Sequence, residues 1–118
     1  MQPDFLIPVY PLPGQKGRAG KERRARLQRY VAWLHDAWRV WDRPDFDGYH
    51  DYLVRKRGLS EASAKAHLAT VRARYRELLQ SGVIRQVLAK EIAARPGGTY
   101  EQLEQWLDQI IDALSAQP

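Results

Sequence analysis

The sequence predicts an all-α protein, a compact bundle of four to five helices, and three observations carry that expectation. Apolar residues recur every three or four positions in five separate segments. Stop and cap residues stand between those segments, at Pro44, Gly58-Leu59-Ser60, Ser81-Gly82 and Pro96-Gly97-Gly98-Thr99. No segment alternates apolar and polar residues with β-branched enrichment, so no sheet is expected.

Residues 1–20 read as an extended leader, because Pro3, Pro8, Pro11 and Pro13 with Gly14, Gly17 and Gly20 oppose regular structure. Phe5, Ile7, Val9 and Tyr10 are apolar enough to tuck against the domain. The first helix is expected from about Lys21 to Trp41. Leu27, Tyr30, Val31, Leu34, Trp38 and Trp41 form its inner face, widened by Trp33, Ala37 and Val40. Its start carries Lys21, Arg23, Arg24, Arg26 and Arg29, cations that oppose the helix dipole there and so hint at an external anion. A solvated, frayed end explains them equally well.

Asp45 suits the N-cap of a second helix over 45–57, with Phe46, Tyr49 and Leu53 inward and a basic last turn, Arg55-Lys56-Arg57, before Gly58. Ser60 suits the N-cap of a third over 61–80. Ala64, Leu68, Val71, Tyr75 and Leu78 make its inner stripe. Lys65, Arg72 and Arg76 fall within about 40° of each other on a second stripe. His67 and Arg74 project on a third side. A fourth helix spans 83–95 with Val83, Val87, Leu88 and Ile92 inward. Thr99 with Gln102 fits the capping-box pattern of a fifth over 100–115, whose apolar residues are Leu103, Trp106, Leu107, Ile110 and Leu114. Residues 21–95 are thus expected to form the helical core domain. Residues 96–118 form a C-terminal helix that packs, contacts another protomer or links to a further domain.

Charge narrows the function. Residues 1–76 hold 16 of the 19 Lys/Arg against 8 Asp/Glu, whereas residues 77–118 hold 3 against 6. Basic charge gathered in one half is the footprint of a polyanion binder. The absence of cysteine excludes disulfides, thiolate zinc sites and a cysteine nucleophile. His35, His50 and His67 stand on three different expected helices and form no metal pair. Asp45-Phe46-Asp47-Gly48 has too few ligands for a calcium loop. No metal, cofactor or catalytic set is expected. No run approaches the roughly 20 apolar residues of a membrane span, so the expected compartment is the cytoplasm. The four tryptophans fit helix stripes and are expected in the core.

The stretch Asp51-Tyr-Leu-Val-Arg-Lys-Arg-Gly-Leu-Ser-Glu-Ala-Ser-Ala-Lys-Ala-His-Leu-Ala-Thr-Val-Arg-Ala-Arg-Tyr75 resembles the core-binding, SAM-like domain of tyrosine recombinases and phage integrases. The shared pattern is a Tyr-Leu near the end of one helix, an Arg-Gly-Leu-Ser turn, and a helix with His-Leu seven to eight residues after Ser60. The aromatic-rich upstream helix also fits, so the resemblance covers about residues 21–83. It implies one jaw of a clamp around double-stranded DNA, used in recombination or integration. The helix after the turn faces the major groove, and the catalytic Arg, His and Tyr lie in a separate domain. Carried onto this sequence, it implies Ser63 and Lys65 at the groove. Arg57, Arg72 and Arg76 are implied on phosphates, with Arg23, Arg24 and Arg26 as further candidates. Ala62 and Ala66 stand where relatives have longer polar side chains, which weakens direct base readout. The bland alternatives are a solvated face for Arg72 and Arg76 and a plain helix cap for Ser60. A helical protein-interaction module is the competing function, through the fifth helix, which in the family often joins recombinase protomers.

Overall fold

A computed structural model describes Val9 and residues 17–115. Five helices follow in order: α1 (Gly17–Asp36), α2 (Phe46–Asp51), α3 (Glu61–Gln80), α4 (Val83–Ala93) and α5 (Tyr100–Ser115). The fold is an all-α bundle, with no strand among the described residues. A π turn, Tyr52–Lys56, continues α2 without a break. Helix α3 is the hub and packs against α1, α2 and α4, while α5 packs on α4.

The local signals that set α3 are simple. Gly58 takes φ +70°, a left-handed turn that only glycine adopts cheaply. Two residues later the Ser60 hydroxyl accepts the Ser63 amide at 3.2 Å, so Ser60 is the N-cap. Ala64, Leu68, Val71, Tyr75 and Leu78 are all buried, as their spacing predicts. The capping box of α5 forms in both directions: Gln102 N–H donates to Thr99 Oγ1 at 3.3 Å, and Thr99 N–H donates to Gln102 Oε1 at 3.2 Å. Asp45 Oδ1 accepts the Gly48 amide at 2.9 Å and caps α2.

The buried cluster is continuous from Val9 to Leu114 and takes residues from all five helices. Leu103, Leu107, Ile110 and Leu114 of α5 belong to it, so α5 is a packing helix of this core. Val9 is fully buried, while Phe5, Ile7 and Tyr10 lie outside the described residues. In α4 the buried residues are Ile84, Leu88 and Ile92, with Val83 and Val87 at the margin. A polar relay runs through the core. Tyr75 donates its hydroxyl to the Trp41 carbonyl at 2.6 Å. Its single proton being used, the 2.8 Å contact with Tyr30 must be donated by Tyr30.

Helix α1 departs from expectation at both ends. It begins at Gly17, so residues 17–20 are helical rather than leader, and Arg23, Arg24 and Arg26 lie beyond the first turn. The argument that these cations oppose the helix dipole therefore falls, since that effect is confined to the first turn. The helix ends at Asp36, five residues before Trp41. The Arg39 amide donates back to the Leu34 carbonyl at 2.8 Å and the Trp38 amide to His35 at 3.3 Å, a Schellman closure. Trp38 occupies the left-handed position with φ +56°, where glycine is usual. Trp38 is 93% exposed and Val40 51% exposed, so neither joins the core; Trp41 returns to it from the loop. Left-handed backbone costs a non-glycine residue about 1 kcal/mol. Trp38→Gly is therefore expected to stabilise the fold by about that amount, because no packing is lost. Thermal melts of the two proteins check this, and a lower melting temperature for the variant would contradict it.

Candidate nucleic-acid interface

Helix α3 lies between two basic rows, one on its own surface and one in its seam with α1. Lys65, Arg72 and Arg76 form the first. Lys65 and Arg76 are exposed. Arg72 is half-buried and its guanidinium lies 5.3 Å from the Phe46 ring centroid. Burial, then the like charge of Arg76, holds Arg72 below the usual arginine range, so its cation lacks full solvation.

The second row lies in the seam between α1 and α3, which run antiparallel. Arg23 of α1 pairs with Glu77 of α3, which also accepts Arg74 at 3.3 Å. Arg26 donates to Thr70 Oγ1 at 3.2 Å. One turn on, His67 lies in the field of Arg26, Arg29 and Arg57. Ser63 falls on this same side of α3, roughly 160° from Lys65 at 100° per residue. Its hydroxyl accepts the Ser60 hydroxyl at 3.1 Å, and both serines are exposed.

Between the rows α3 presents a stripe of small side chains. Ala62, Ala69 and Ala73 are exposed and Ala66 is half-buried. The sequence expectation thus divides. Lys65, Arg72 and Arg76 share one flank, and Arg23, Arg26, Arg57 and Ser63 the other. Arg24 joins neither row, since it leaves α1 about 160° away from Arg26. Arg23 and Arg26 are already engaged by α3, which makes them seam residues first. Arg29 and His67 belong to the second row; the sequence offered Arg29 only as part of the basic start of the first helix and did not offer His67 at all. The three-residue spacing of Arg23, Arg26 and Arg29 carries that signal, because such residues drift slowly along one helix face.

His67 gives the seam a pH response. Burial first, then Arg26, Arg29 and Arg57, push its pKa below the ordinary histidine value. The fold thus disfavours the charged imidazole, so this residue does not weaken the fold above that ordinary value and destabilises it as pH falls below it. An anion brought to the row offsets the arginine field and raises the histidine, so binding takes up a proton. For a polyanion held on this row, affinity is expected to strengthen as pH falls from about 7.5 to about 5.5. Titrations across that range should show a flatter response in His67→Gln; an unchanged slope would remove His67 from the interface.

Among the described residues no group of His, Asp and Glu is arranged to hold a metal ion, and no helix is long and apolar enough to cross a membrane. Comparison with family models, curated proteins and solved structures returns no match for this chain.

Proposed function

We propose that this chain is a duplex-DNA-binding domain of the tyrosine-recombinase core-binding, SAM-like type, one jaw of a clamp that works beside a separate catalytic domain. The observation that carries the reading is the pair of basic rows flanking an alanine stripe on α3. A B-DNA major groove is about 12 Å wide and admits an α-helix. Small side chains let the helix approach closely, and the two rows then meet the phosphate walls on either side. Lys65, Arg72 and Arg76 take one strand, and Arg57 with the Arg26–Arg29 seam takes the other. Ser63, near the amino end of α3, is placed for a phosphate or a base edge. With alanines at the centre, most affinity comes from phosphates and little from bases, which makes the domain sequence-tolerant. It contributes no cofactor and no catalytic group of its own, and its working compartment is the cytoplasm.

A second reading has one observation in its favour. On α5, Ile111 is 44% exposed at one margin of the buried stripe, and at the other margin Trp106 is only half-buried beneath the Arg95 guanidinium, 4.6 Å from its ring. An apolar contact there would suit another protein, such as a second recombinase protomer. Titrating a mixed-sequence duplex at several salt concentrations separates the two. Micromolar or tighter binding that weakens linearly in log–log form supports the DNA reading. No binding at low salt overturns it and favours the α5 surface.

A further inference from the structure

We propose that the groove between α1 and the π turn is a second nucleic-acid site, for a single strand, with Trp38 as its stacking platform. The site shares Arg29 and Arg57 with the proposed duplex face, but Trp38, Arg55 and Lys56 belong to it alone, so the two are separable by substitution.

Two shallow recesses meet at Tyr52 along this groove. One is floored by Trp33 and Tyr52, whose ring centroids are 6.2 Å apart, and rimmed by Arg39, Arg55 and Lys56. The other adds Arg29 and Arg57. Against these five cations stand only Asp36 and Asp51 on the lining, and Arg39 also reaches Asp45 at 3.2 Å. The groove therefore suits a flexible polyanion with apolar faces.

Trp38 is the independent observation. It is not itself on the lining but stands beside it in the chain, between Ala37 and Arg39, both of which line the groove. Stability does not account for it, because it holds a left-handed backbone and buries almost none of its surface. A large ring kept in a strained, exposed position points to a use outside the fold. A basic groove that tracks a backbone, together with an exposed aromatic face on which a base stacks, is how single strands are held without sequence preference. A duplex keeps its bases stacked inside and gains nothing from an indole. The π turn helps the groove form. Its wider ring is closed by the Arg57 amide on the Tyr52 carbonyl at 3.1 Å, and Arg55, Lys56 and Arg57 are all left exposed.

The test uses the full chain with fluorescein-labelled oligo(dU), oligo(U) and a mixed-sequence duplex, read by anisotropy at low salt. Trp38→Gly is expected to weaken oligonucleotide binding about tenfold or more, to leave duplex binding unchanged, and to melt no lower than the parent. Trp38→Phe should retain most of the affinity. Arg55→Ala/Lys56→Ala should weaken oligonucleotide binding and reduce its salt slope by about 1.4. A preference between oligo(dU) and oligo(U), which differ only in the 2′-hydroxyl, identifies the sugar within that pattern. Four results overturn the proposal. The oligonucleotides fail to bind at low salt. Trp38→Gly binds them as well as the parent. The double variant weakens duplex and single strand alike, which means one general basic surface. Poly-glutamate displaces the probe as well as unlabelled oligonucleotide does, which means an acidic protein segment is the better ligand.

Discussion

Tyr75→Ala is expected to lower the unfolding free energy by about 3–5 kcal/mol, much of the stability of a small domain. Tyr75 is fully buried at the centre of the hub helix. Its ring meets Tyr30 edge-on at 6.1 Å and Phe46 at 5.8 Å. Truncation opens a cavity among α1, α2 and α3 and also removes the hydroxyl that anchors the loop carbonyl of Trp41. Tyr75→Phe separates the two losses. It keeps the ring but leaves the Trp41 carbonyl without its donor and Tyr30 without its acceptor, and should cost about 1–3 kcal/mol. Urea unfolding of the three proteins measures both steps. A Tyr75→Phe variant as stable as the parent would show that the relay contributes nothing net.

The second large effect concerns the interface. Lys65→Ala/Arg76→Ala removes two exposed cations from one row without touching the core. Duplex affinity at low salt is expected to fall about 100-fold or more, the loss of two charge-assisted contacts of about 1.5–3 kcal/mol each. The salt slope should drop by about 1.8, since each phosphate contact contributes about 0.9. Arg72 is the poorer probe because alanine there also strips the Phe46 ring of its cover. The seam row offers a matching test in Arg57→Ala, whose side chain is exposed. If only one row proves sensitive, α3 lies across the backbone rather than along the groove.

How far the sequence could be read depended on whether a signal was local. Ser60 and Thr99 cap their helices with their own hydroxyls, so α3 and α5 were legible to the residue. The end of α1 was not. Trp38 and Trp41 continue the helical spacing, and the usual glycine stop is missing because a tryptophan holds the left-handed position. Gly17 and Gly20 misled in the opposite sense, since the helix tolerates them at its first turn. For the candidate interface, helical arithmetic placed Lys65, Arg72 and Arg76 together. It could not reveal that Arg23 answers Glu77 or that Arg26 answers Thr70, because those pairings cross between helices 44 and 54 residues apart in sequence.

The π turn after α2 has a consequence for how this chain tolerates change in length. A π turn holds more residues per turn than an α-helix needs, so it acts as slack in the thread. Deletion of one residue within Tyr52–Lys56 is taken up by exchanging π for α winding, and the inward stripe of α3, set afresh by Gly58 and Ser60, keeps its register. The same change within α3 would rotate Tyr75 about 100° out of the core. The joint between α2 and α3 is thus where length variants of this domain can accumulate while the hub stays fixed.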